Sequence, residues 1–128
     1  NIINFLDWAG KENVIGYGAS TKGNIVLNQC NLSSKNLKLI CDANPYKYNR
    51  YTPGSNIRII SKEEMRKIKP KYLFVLIWSF RKEVIKQEIK YIKNGGKLVF
   101  HLPIFHIVDK NNYKEYLKDD FKTFSFNY

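Results

Sequence analysis

Acidic residues are scarce in this sequence: Asp and Glu number 11 against 22 Lys and Arg, leaving a formal net charge of +11 over 128 residues. Cysteine is scarcer still. Only Cys30 and Cys41 are present, and their spacing fits neither a zinc site nor a CxxC redox pair. Each falls in an expected helix or strand and reads as a small buried hydrophobe, which agrees with a reducing, cytoplasmic setting. Long apolar runs are missing too: nothing approaches the ~18 residues needed to cross a bilayer, so no membrane partner is expected. The sequence starts at Asn1 without an initiator Met, an apolar leader or a small-residue cleavage site, and is read as a piece of a longer protein. His101 and His106 flank Pro103 with no third ligand at useful spacing. Neither a metal site nor a Ser/His/Asp or Cys/His constellation is therefore expected, and no catalytic residue is assigned.

What is present suits one packed domain. A hydrophobic fraction of 44% and an aromatic fraction of 15% supply a core without disulfides or metal at this length. The basic residues are dispersed from Lys11 to Lys122, and Lys82, Lys86, Lys90 and Lys93 form a single helical ridge. Such a ridge is the solvated face of an amphipathic helix, which argues against a nucleic-acid partner and leaves small anionic ligands compatible with the charge.

The periodicity predicts a lead-in helix in residues 1–10, then a short buried strand over 14–18 that stops at glycine. Ser20 or Thr21 caps the helix that follows. A second strand, 37–41, ends at Asp42 and gives way to a long loop, 43–56, dense in Asn, Pro, Tyr and Gly. Residues 57–60 read as a strand. Ser61 with Glu64 forms a capping box for a brief helix that closes before Pro70. The continuous apolar run 72–78 predicts a central strand buried on both faces. A helix over 80–93 stops at Gly95-Gly96, and 97–100 is the last strand. This order implies an α/β fold: a Rossmann-like, doubly wound, mainly parallel sheet of about five strands with helices on both faces. Residues 1–103 are expected to form the nucleotide-binding domain, with 104–128 a C-terminal helix and tail packed on it. Phe121, Phe124, Phe126 and Tyr128 alternate like an edge strand able to pair with another chain.

The chemistry concentrates in Gly16-Tyr17-Gly18-Ala19-Ser20-Thr21-Lys22-Gly23-Asn24, between a predicted strand and helix. Glycines at such a turn let the backbone approach a phosphate, and the amides and dipole of the next helix favour negative charge. Lys22 adds a cation. The pattern is neither GxGxxG, since Thr21 stands where the third glycine belongs, nor a Walker A loop. A tight turn that merely packs helix on strand is the alternative. Asp42, 24 positions after Gly18, lies near where a doubly wound fold places the acid that accepts from a ribose; a loop cap is the alternative. Asn44, Lys47, Tyr51, Pro53 and Gly54 add polar groups at the same sheet edge. Trp78 and Ser79 end the central strand, where Trp78 either stacks on a base or closes the core.

These segments together (the Gly16–Asn24 turn, Asp42-Ala43-Asn44-Pro45-Tyr46-Lys47, Tyr51-Thr52-Pro53-Gly54 and Trp78) resemble the C-terminal domain of the SAM-dependent sugar C-methyltransferases over residues 14–103. The resemblance implies a Rossmann-like domain that helps to hold a nucleotide-sugar, with Gly16, Gly18, Ser20, Lys22, Asn24, Asp42 and Tyr51 near that substrate or near a methyltransferase domain. It also implies that SAM and the catalytic residues belong to a missing domain or a partner chain, so that this chain binds no cofactor of its own. The setting would be deoxysugar or surface polysaccharide biosynthesis. An NAD- or nucleotide-binding Rossmann module of a sugar-nucleotide-processing enzyme is the competing reading, and a non-binding interaction domain the third.

Overall fold

The structure, a computed structural model, describes residues 2–118. Six strands form one sheet in the order β3-β2-β1-β4-β5-β6. They are β1 (Val14–Tyr17), β2 (Leu39–Asp42), β3 (Arg58–Ser61), β4 (Tyr72–Val75), β5 (Lys97–Phe100) and β6 (His106–Val108). The first five run parallel, and β6 pairs antiparallel with β5, Val99 opposite Ile107. The fold is thus Rossmann-like, with the strand order reversing between β1 and β4. The sixth strand is an addition to the five expected, and it carries the sheet past residue 103.

The helices are α1 (Ile2–Ala9), α2 (Thr21–Gln29), α3 (Lys62–Ile68), α4 (Arg81–Gln87), α5 (Ile89–Lys93) and α6 (Tyr113–Tyr116). Alternation along the strands builds two cores. Val14, Ile40, Phe74 and Val99 face α1 and α2, which contribute Ile2, Leu6, Val26 and Leu27. Ile15, Tyr17, Cys41, Leu73 and Leu98 face the other layer, with Met65, Val84, Ile85, Ile92 and Tyr113. Leu73 and Phe74, adjacent in β4, are both fully buried, so the central strand is covered on both sides.

Two expectations are corrected. β4 stops at Val75, and Trp78–Phe80 form a turn of 3-10 helix. The single helix expected over 80–93 is broken at Glu88, whose backbone sits at φ −109° and ψ 24°. Its carboxylate is 1% exposed and accepts from Arg66 Nη2 at 2.6 Å and Tyr17 Oη at 2.8 Å. A buried charge must be paired and hydrogen-bonded, and this pairing ties α3 and β1 to the break between α4 and α5. No helix among the described residues is long and apolar enough to cross a membrane. The aromatic alternation of Phe121, Phe124, Phe126 and Tyr128 lies outside the described residues.

Candidate functional site

The glycine turn is built by close approach. Gly16 lies within β1, where a Cβ would stand 3.0 Å from both Ile40 and Leu37. Gly18 has φ +99°, and a side chain there would meet Ile77 Cγ2 at 2.7 Å; both conformation and contact require glycine. Gly23 brings α2 against the turn, because a Cβ on it would lie 2.6 Å from the Gly18 carbonyl oxygen. Close packing of helix on turn, the job of the third glycine in a dinucleotide fingerprint, is thus done here two positions further on, at Gly23, the third residue of α2, rather than at Thr21.

Ser20 is the N-cap of α2: its Oγ accepts from Gly23 N at 3.1 Å. That uses one of the four unpaired amides of the first turn. The Ala19 amide donates to Asp42 Oδ2 at 2.9 Å, while Asn44 N donates to Oδ1 at 2.8 Å. Lys47 Nζ completes the brace, 3.0 Å from the Ala19 carbonyl and 3.8 Å from Asp42 Oδ2. Asp42 therefore caps the start of the loop and pins the turn at once. The amides of Thr21 and Lys22 have no hydrogen-bond partner among the described residues and stand at the positive end of the α2 dipole.

Beside this brace lies a shallow cavity of about 230 Å³, lined by Ala19, Thr21, Asn24, Lys47, Tyr51 and Pro53, together with Arg50 and Ile59. Asn24 Oδ1 is buried there without a hydrogen-bond partner among the described residues. The wall facing α2 is ordered by its own backbone bonds, Asn49 N to Ile59 O and Thr52 N to Ile57 O, and by the buried hydroxyls of Thr52 and Ser55. Gly54 packs on α2, where a Cβ would meet Asn28 Oδ1 at 2.8 Å. This long loop is a fixed wall.

The structure brings together Ala19, Thr21, Asn24, Lys47, Tyr51 and Pro53, with Asp42 and Ser20 bracing them. Lys22 is exposed in the first turn of α2, and Asn44 caps the 3-10 turn that follows it. Gly16, Gly18, Gly23 and Gly54 serve close packing. Trp78 packs half-buried against the second core cluster, the one that holds Leu73 and Val84, and Ser79, exposed after it, does not line the cavity. Arg50 and Ile59 are the lining residues the sequence reading missed; for Arg50, its place directly before Tyr51 was the available signal. The cavity presents ammonium, guanidinium, phenol and amide groups, and no group of His, Cys, Asp or Glu among the described residues could hold a metal ion. At about 230 Å³ the cavity is below the roughly 300–1,000 Å³ of complete small-ligand pockets.

The model of the C-methyltransferase C-terminal domain family matches residues 1–103. The C-methyltransferase NovU of Streptomyces niveus is 34% identical over 95 residues, covering 74% of this chain and 23% of that protein. The chain thus spans about a quarter of the length of this relative. Among solved structures, UDP-D-quinovosamine 4-dehydrogenase from Vibrio fischeri superposes with a TM-score of 0.52 at 14% identity, covering 81% of this chain and 98% of that one, a likeness of fold.

Proposed function

This chain belongs to the C-methyltransferase C-terminal domain family, and on that premise we propose that it holds the phosphate-bearing part of a nucleotide-sugar for a sugar C-methyltransferase. The methyl donor, SAM, is bound by another domain or by a partner chain, as are the reacting groups. The pathway is the building of deoxysugars or surface polysaccharide. The observation that carries this reading is the cavity beside the free first-turn amides of α2, flanked by Lys47, Arg50 and Tyr51. Its small size suits a substrate shared between this domain and a neighbouring surface.

The dinucleotide alternative is less well supported. The carboxylate that would accept from an adenosine ribose is engaged on both oxygens, and the Lys47 ammonium lies across the turn beside it.

Calorimetric titration of the chain with TDP-, UDP- and GDP-sugars and with NAD tests the proposal. Saturable binding of a nucleotide-sugar is expected, weakened by about 1 to 3 kcal/mol in Arg50→Ala through loss of a charge-assisted contact. Binding of NAD with no response to any nucleotide-sugar would overturn it.

A further inference from the structure

A second cavity, about 800 Å³, opens at the opposite end of the sheet, between the close of α3 and the turn that precedes β5. Arg66, Lys69 and Lys71 line one wall, and Lys90, Asn94 and Gly96 the other. Its one acid, Glu88, is already committed to Arg66 and Tyr17. Lys69, Lys71 and Lys90 have no acidic partner within ion-pair distance among the described residues. Three uncompensated ammonium groups thus border one recess.

The walls are preformed. Tyr91 Oη donates to Pro70 O at 3.0 Å, joining the two sides, and its ring occupies the space where a side chain on Gly96 would stand, 2.2 Å from a Cβ there. Lys69 supplies an independent sign. It ends α3 in the left-handed conformation, φ 55° and ψ 61°, a position where glycine is the unstrained choice. A lysine kept in a strained conformation at the lip of a cavity points to a use for its charge.

We propose that this recess is a second anion site that takes a small ligand carrying two or more phosphate groups. Three cations along the border of one recess call for several negative charges, and the volume falls within the roughly 300–1,000 Å³ of small-molecule pockets. A nucleic-acid strand would instead track a continuous basic stripe. The proposal is independent of the glycine-turn site.

The test is titration of the chain with sodium tripolyphosphate and with ATP at physiological salt. In the variant Lys69→Gly combined with Lys90→Gln, affinity for both should fall by about tenfold or more, from loss of two charge-assisted contacts. Each titration is made in the Arg50→Ala background, which weakens the glycine-turn site and leaves the recess untouched, so that the fall reports the recess alone. The urea midpoint of Lys69→Gly alone should equal or exceed that of the parent, which separates lost binding from lost folding. ATP binding more tightly than tripolyphosphate would identify a nucleotide as the ligand, and equal affinity would identify the phosphates alone; either outcome supports the site. Binding of both probes that survives the double substitution, or the absence of saturable binding, would overturn it.

Discussion

Replacing Gly23 with Ala gives a test whose sign decides the matter. In an ordinary helix this exchange is favourable by about 1 kcal/mol, because glycine loses more backbone freedom on folding. Here the new methyl carbon would lie 2.6 Å from the Gly18 carbonyl oxygen, 3.2 Å from Leu76 Cβ and 3.4 Å from Ser20 Oγ. The first neighbour is backbone, held in place by the pairing of Gly18 N with Cys41 O at 2.9 Å, so it has little room to yield. Relieving the overlap means moving α2 away from the turn, and overpacking of this kind costs about 1 to 3 kcal/mol. Set against the intrinsic gain, the net expectation is a destabilisation of roughly 1 kcal/mol, equivalent to a melting point lower by about 3 to 6 °C. Urea unfolding followed by circular dichroism, with a thermal melt beside it, measures both. A variant as stable as the parent, or more stable, would refute the close approach of α2 to the turn and with it the assignment of Gly23 as the packing glycine.

Asp42→Ala removes the acceptor of two backbone amides and the partner of Lys47; it should cost about 1 to 3 kcal/mol in urea unfolding, whereas a loss below 0.5 kcal/mol would mean that water replaces the brace. Thiol labelling near pH 8 should modify Cys30 slowly and Cys41 only in denaturant, since burial pushes the Cys41 thiol up to about 12 and raises that of Cys30 less; peptide mass spectrometry reads the sites, and prompt labelling of native Cys41 would contradict its burial. Burial also lowers the pKa of His101. The unfolded chain therefore takes up that proton first as pH falls below about 6.5, so stability should drop there, and less so in His101→Gln; parallel urea midpoints at about pH 7.5 and pH 5 check the difference.

Much of this architecture is written in local pattern. Val14 and Ile15 before a glycine, Ser20 ahead of a helix, and Ser61 with Glu64 all report neighbours within four residues, and the structure places β1, α2 and α3 where those signals stand. What escapes local pattern is set by partners far along the chain. The break at Glu88 answers to Tyr17 and Arg66, which lie 71 and 22 residues away. β6 has three residues and exists by pairing with β5, too short for alternation to register. The candidate site divides in the same way. Its chemistry was legible in residue types from Ala19 to Pro53, but the fixed wall opposite α2, and Arg50 within it, depend on bonds from the loop to β3.

The Asp42 and Lys47 brace has a kinetic consequence. Because the turn, the cap of α2 and the facing loop are tied together without any ligand, association need not await loop ordering, and little entropy is lost in arranging the receiving groups. The bonded amides of Gly18, Ala19, Gly23 and Asn24 and those of Asn49, Thr52 and Ile59 then open as one cooperative block, exchanging hydrogen for deuterium at a common rate that a bound anion slows for all of them together.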